Sequence, residues 1–204
     1  MDNNLIALAM TGASGAQYGL RLLELLLKAE RRVHLMLSKP AQLVINMETD
    51  LKLPGRLQDV EQLLSERYAA QAGQLRVYGP EQWTAPMASG SGGGRAMVIC
   101  PCSMATLAAV AVGASRSLIE RAADVMLKEQ RKLILVPRET PFSALHLQNM
   151  LTLARLGVVI LPANPGFYHL PARVEDLVDF IVARVLDHLD VPHKLVPRWG
   201  EAET

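Results

Sequence analysis

Two short segments set hydroxyls and glycines where an apolar run gives way to a helix-forming one. The first is Thr11-Gly12-Ala13-Ser14-Gly15, between the run Leu5–Met10 and a helix expected over Tyr18–Lys28. Gly12 and Gly15 allow tight backbone geometry, and Ser14 offers a hydroxyl beside the free amides of a helix start. That chemistry suits an anion or the polar edge of a flat ring. The second is Ser103-Met104-Ala105-Thr106, where Ser103 can cap the next helix and its hydroxyl, with that of Thr106, can hold phosphate oxygens. Either alone is matched by an ordinary strand-to-helix turn. Two together favour a phosphorylated ligand. The sequence has neither G-x-x-x-x-G-K-[ST] nor G-x-G-x-x-G, which argues against ATP and against a typical dinucleotide; a mononucleotide such as FMN fits better.

The charged candidates are scattered. Arg121 and Lys128 lie seven apart and share a helix face, Arg138 and Glu139 stand directly behind Pro137 at a strand end, and Arg184 flanks the apolar stripe of the last helix. Singly, each is more often a solvated or salt-bridged surface residue. As a set they can enclose a second phosphate without metal. Trp83, in PEQWTAPMASG, and Trp199, in VPRWGE, stand out because aromatics make up only 4% of the chain. Each either pins a loop or terminus to the core or another subunit, or forms an aromatic wall for an apolar or cationic group. The acids of EDLVD (Glu175, Asp176, Asp179) open the last helix, where carboxylates offset the helix dipole, and are given no metal role. The five histidines (His34, His146, His169, His188, His193) form no H-x-x-x-H pair, so no metal site is expected; His169, beside Tyr168, is left without a role.

These residues need a scaffold. Strands are expected at Leu5–Met10, Val33–Leu37, Met97–Cys100, Leu133–Val136 and Val158–Leu161, with a weaker candidate at Leu75–Tyr78. Helical segments include Tyr18–Lys28, Met104–Val112, Leu118–Lys128, Leu145–Leu156 and the run from Val174 to Leu189. Strands alternating with helices imply an α/β fold, a doubly wound, Rossmann-like parallel sheet with helices on both faces. In such a sheet the loops TGASG, PCSMAT, PRETPFS and PANPGFYHLP open on the same edge, where ligands bind. The uncharged run Ala96–Ser115 has membrane-spanning length, yet Pro101, Ser103, Thr106 and Gly113 divide it into a buried strand and a buried helix. The glycine-rich Ser89–Arg95 reads as a mobile loop, and the second half of 51–74 as a surface helix. With 204 residues, half of them hydrophobic, the chain can bury a large core and is expected to form one domain, 1–204. A net charge of +1 gives no reason to expect nucleic acid or a membrane surface. Two cysteines are too few for a disulfide framework, and the MDNN start has no basic region, so a reduced, intracellular protein without signal peptide is expected.

Taken in order, MTGASGAQYG, NMETD, CPCSMATLAAVAVG, LIERAADVMLKE, LVPRETPFS, NPGFYH and VPRWGE resemble the UbiX-type flavin prenyltransferases from Ile6 to Glu201. The resemblance implies a flavodoxin-like Rossmann fold that binds FMN. It also implies transfer of a dimethylallyl group from dimethylallyl monophosphate to N5 and C6 of reduced FMN, without metal. The product, prenylated FMN, would serve a partner UbiD-type decarboxylase in ubiquinone synthesis and related aromatic-acid chemistry. Carried over by motif, Gly12, Ala13, Ser14, Ser38, Ser103, Met104, Ala105, Thr106 and Arg138 would contact FMN, with Ser14 near N5. Ser89, Arg121, Lys128, Arg138, Tyr168 and Arg184 would hold the prenyl phosphate. Trp83, Tyr168 and Trp199 would line the prenyl pocket, the last from a C-terminal tail (190–204) that contributes to the active site. Glu48 and Glu139 would assist proton movement. The resemblance further implies a cytoplasmic homododecamer with sites between subunits. It favours the monophosphate donor, although a basic pocket accepts the diphosphate as well.

Two rivals stand beside this reading. FMN-dependent cysteine decarboxylases share the fold but use an early catalytic histidine and a P-x-M-N signature; here PANPGFYH replaces the signature and the only early histidine, His34, lies inside a strand. A non-catalytic flavin carrier would need FMN binding but not Arg121, Lys128, Glu139 and Arg184.

Overall fold

The computed structural model describes residue 2 and residues 4–197. Six strands form one parallel sheet: β1 (Leu5–Met10), β2 (Arg32–Leu37), β3 (Leu75–Tyr78), β4 (Ala96–Cys102), β5 (Lys132–Pro137) and β6 (Val159–Ile160). Their spatial order is β3-β2-β1-β4-β5-β6, so the order reverses between β1 and β4. That reversal is the topological switch point of a doubly wound sheet. The helices are α1 (Ala16–Lys28), α2 (Lys39–Glu48), α3 (Leu57–Arg67), α4 (Met104–Ala111), α5 (Leu118–Lys128), α6 (Ala144–Arg155) and α7 (Val174–His188), with a short 3₁₀ turn at Pro86–Ala88.

Side chains alternate across the sheet and so divide the core into two layers. Ile6, Leu8, Met10, Leu35 and Val98 pack under α1, α2, α3 and α7. Ala7, Ala9, Met36, Met97 and Ile99 pack under α4, α5 and α6 on the opposite face. Both layers are dry, which is why the strands read as apolar runs rather than alternating ones. The uncharged stretch from Ala96 resolves into β4 and α4, as its composition requires, and no helix among the described residues is long and apolar enough to cross a membrane.

Most elements fall within two residues of expectation. β4 continues through Pro101 to Cys102 because the ladder with β5 shifts register between Ile99 and Cys102, where a proline does not cost a ladder bond. The helix in 51–74 begins earlier than expected and buries Val60 and Leu64 against the core. α2 is additional to the expected elements. The expected mobile loop at Ser89–Arg95 is corrected: Gly93 and Gly94 are buried. A Cβ at Gly92 would lie 2.6 Å from the Pro86 carbonyl oxygen, and one at Gly94 2.3 Å from that of Leu5. The glycines are there because backbone passes backbone too closely for side chains.

Candidate functional site

Strands β2, β1, β4 and β5 are neighbours and parallel, so the loops that follow them meet at one edge. All four of these loops lead into helices, and the starts after β2, β4 and β1 are shaped by the sequence. Ser38 leaves β2 and caps α2, its hydroxyl accepting from the Ala41 amide at 3.1 Å, with Pro40 in the first turn. Ser103 leaves β4 and caps α4, accepting from the Thr106 amide at 3.3 Å, and lies 3.1 Å from the Thr106 hydroxyl. The loop after β1 reaches α1 through Gly15, whose φ of 101° belongs to the left-handed side that glycine tolerates. Gly12 packs so tightly on α2 that a Cβ would fall 2.4 Å from Pro40 Cβ.

Charge is held at the start of α1. The Glu48 carboxylate, from the end of α2, accepts the Gly15 amide at 2.8 Å and the Ala16 amide at 3.0 Å. Burial pushes its carboxyl up, but hydrogen bonds from the Ser14 hydroxyl and these two amides, with the Arg138 charge, outweigh that and leave it below the usual range. Arg138, behind β5, donates from Nε to the Ser14 carbonyl at 3.2 Å and so spans β4 to reach the first loop. The amides of α1 demonstrably take an anion, and that anion is the protein's own. The hydroxyls of Ser38, Ser103 and Thr106 and the first-turn amides of Met104 and Ala105 could hold a ligand phosphate.

Thr11 carries more of this site than its sequence context suggested. Its buried hydroxyl donates to the Pro101 carbonyl at 2.9 Å and accepts the Ser103 amide at 2.8 Å, tying the β1 loop to the α4 cap. A hydroxyl at the last position before a glycine turn was the available signal. Tyr18 also belongs here: its ring would be 2.8 Å from a Cβ at Gly15, and burial raises its pKa, as does Cys100, against the lowering charge of Arg138.

The remaining candidates do not gather in one chain. Arg121 and Lys128 lie on α5, which runs from the ligand edge back toward the start of β5, so Lys128 sits at the opposite edge, paired with Glu129. Ser89, exposed, follows the 3₁₀ turn beside α5. Arg184 lies on α7, on the other face of the sheet, paired with Asp187 at 2.6 Å. The end of α7 meets the starts of β4 and β5, where Arg95 donates to the Leu189 carbonyl at 2.8 Å and Lys132 to that of His188. Glu139 stays at the ligand edge, accepting the Thr140 amide at 3.1 Å. Tyr168 is exposed on the loop before α7, and Trp83 is half-exposed on the loop after β3. Trp199 lies outside the described residues. Asp176 accepts the amides of Ala172 and Arg173, the helix-start role expected of it, whereas Asp179 does not face solvent but pairs with Arg21 of α1 at 2.7 Å.

Comparisons with known proteins agree with this geometry. The family model Flavoprotein matches residues 1–186. The chain is 63% identical over 196 residues to the flavin prenyltransferase UbiX of Pseudomonas aeruginosa, covering 96% of this chain and 94% of that one. Its fold superposes with a TM-score of 0.86 on a crystal structure of AnUbiX (PadA1) in complex with FMN and dimethylallyl pyrophosphate, at 42% identity and 98% coverage of both chains. A dodecameric FMN-dependent UbiX-like decarboxylase from Escherichia coli O157:H7 gives 0.84 at 41% identity, covering 96% of this chain and 98% of that one.

Proposed function

Because this chain belongs to the flavoprotein family, among the UbiX-type flavin prenyltransferases, we propose that it joins a dimethylallyl group from dimethylallyl monophosphate to N5 and C6 of reduced FMN. The observation that carries this reading is the crevice at the switch point, where the Ser14 loop, Glu48 and Arg138 face the capped starts of α2 and α4. FMN fits that donor set. Its phosphate would rest on Ser38 and on Ser103 to Thr106, because Glu48 already neutralises the start of α1; its ring would lie along Gly12, Ala13 and Ser14. When bound and reduced, the flavin would supply an electron-rich ring as the nucleophile for the allylic carbon.

The chain's own residues do the rest. As the allylic C–O bond breaks, negative charge gathers on the phosphate, and the fixed cations Arg121, Lys128, Arg138 and Arg184, with Ser89 and Tyr168, stabilise it without metal. Trp83, Tyr168 and Trp199 shelter the prenyl group from water and offer π faces to developing positive charge. Ring closure releases a proton. Glu48, its carboxyl held below the usual range beside the Ser14 hydroxyl, and Glu139, also at the ligand edge, would take it.

The split placement of the phosphate residues supports a site shared between subunits. Lys128 and Arg184 belong to helices on opposite faces of one sheet, so a second copy must supply part of the set, as a dodecamer would. We take 1–204 as one domain whose tail, 190–204, completes the site, acting in the cytoplasm and passing its product to a UbiD-type decarboxylase. The cysteine decarboxylase reading loses its base: His34 lies within β2, edge-on to Tyr78 at a centroid separation of 5.1 Å, and burial with the charges of Arg32 and Arg76 pushes it down to about 4. Lys128→Ala tests the carrier reading. A transferase loses turnover and keeps FMN; a carrier is indifferent.

A further inference from the structure

Two arginines bracket Ser89. Arg121 donates from Nε to the Ala88 carbonyl at 3.0 Å, and Arg131 donates from Nη2 to the Gly90 carbonyl. The carbonyls before and after Ser89 are thus both tied to α5 and its closing turn. Between them the Ser89 hydroxyl stays exposed, 3.1 Å from that of Ser91.

Arg131 reaches this place through the way α5 ends. Gln130 takes the left-handed conformation at φ 52°, the Gln130 amide donates to Leu127, and the Arg131 amide donates back to Met126 at 2.8 Å. This turn reverses the chain and sends the Arg131 side chain under the glycine-rich loop. The glycines clear its path: a Cβ on Gly93 would stand 2.7 Å from Arg131 Nη1, and one on Gly90 2.3 Å from Glu129 Oε1. Nε and Nη1 of Arg131 are buried and meet no hydrogen-bond partner among the described residues. A guanidinium so sparsely satisfied costs stability that an apolar side chain of equal reach would not. Holding the Gly90 carbonyl is what it does in return.

We infer that Arg131 is a positioning residue: it fixes the backbone behind Ser89 so that this hydroxyl, with Arg121, meets the phosphate of the prenyl donor. The inference rests on the function proposed above. Its test is anaerobic steady-state transfer with dimethylallyl monophosphate and reduced FMN, comparing wild type, Arg131→Met, Ser89→Ala and the double variant, with FMN affinity measured by fluorescence titration. Arg131→Met is expected to raise KM for the donor about tenfold, the worth of one charge-assisted hydrogen bond, with kcat and FMN affinity held within about twofold. Because Arg131 acts through Ser89, the double variant should be no worse than Ser89→Ala alone. An unchanged KM, or effects that multiply, overturns the inference. Should Arg131→Met fail to fold, Arg131→Gln, neutral and too short to reach Gly90, carries the same comparison. Wild-type protein that yields no prenylated flavin refutes the proposed function instead, so the two failures are told apart.

Discussion

Gly19 lies in the early part of α1 with its α-carbon against the end of β4. A Cβ there would stand 2.3 Å from the Cys100 carbonyl oxygen and 2.7 Å from Met10 Cε. In Gly19→Ala two effects oppose. Helix propensity favours alanine by about 0.8–1.0 kcal/mol. Against it, the contact must open by at least about 0.7 Å to reach the 3.0 Å that real Cβ atoms respect, and the obstacle is backbone in a fully buried strand. Overpacking of this kind costs about 1–3 kcal/mol. Nor can α1 shift freely, since Arg21 donates to both oxygens of Asp179 on α7, at 2.7 and 3.0 Å. With backbone as the obstacle and α1 held, the clash falls at about 2–3 kcal/mol, so the variant should be destabilised by about 1–2 kcal/mol net. The first turn of α1 carries the Gly15 and Ala16 amides, so its displacement also disturbs the Glu48 contact and the Ser14 loop, where the flavin ring is proposed to lie. FMN affinity should fall about tenfold, a change of about 1.4 kcal/mol. Urea unfolding followed by circular dichroism and a flavin fluorescence titration read the two effects. A variant stabilised by the propensity gain, with FMN binding intact, would refute the reasoning.

Gly94→Ala should destabilise by about 1–3 kcal/mol in the same urea assay, because its Cβ meets the Leu5 carbonyl; a neutral result would mean the loop is slack after all. Glu48→Gln should cost about 0.5–1 kcal/mol near neutral pH, a value already reduced for solvent screening. The Glu48 carboxyl is depressed in the folded protein, so its contribution is present above the unfolded value of about 4.3 and lost as pH falls through the folded one. Stability curves of the two proteins that stay parallel down to about pH 3 would contradict this. His34 titrates near 4 when folded and near 6.5 when unfolded. The unfolded chain therefore binds the extra proton in that window, and stability is lost as pH falls through it. His34→Phe, keeping a ring against Tyr78, should remove about 1–2 kcal/mol of that acid loss after screening; identical urea midpoints across the window in both proteins would count against it.

The central strands and the ligand edge were legible because both faces of the sheet are buried there, which writes β1, β4 and β5 as apolar runs, while β3, with Arg76 exposed, gave the weaker signal. Ser14, Ser103 and Thr106 were legible for a local reason: a hydroxyl at a helix start declares itself in sequence. α2 carried its signal too, in Ser38 and Pro40, but buries only Ala41 and Ile45, too few to mark a stripe. Helix ends at Lys28 and Lys128 were legible to the residue from the end of the apolar period, without a glycine to mark them. Four helices end through left-handed Glu30, Ala69, Gln130 and Asp190 rather than glycine, and of these only the helix before Ala69 was misplaced in sequence. The glycines of Ser89–Arg95 misled in the other direction, since sequence cannot separate a glycine that permits motion from one that permits contact. Spacing placed Arg121 and Lys128 on one helix face, but which layer holds α5 and which holds α7 depends on the path of the chain across the sheet. That is why cations grouped as one set from the sequence divide between faces and edges in the fold.

The most direct measurement is the mass of the flavin after reaction. The protein is incubated anaerobically with reduced FMN and dimethylallyl monophosphate, without metal, and in parallel with the diphosphate; the flavin is then extracted and weighed by mass spectrometry. A gain of one five-carbon prenyl unit with the monophosphate is the expected result and identifies the chain as the transferase. Unmodified flavin with both donors, from protein that still binds FMN, would contradict the account.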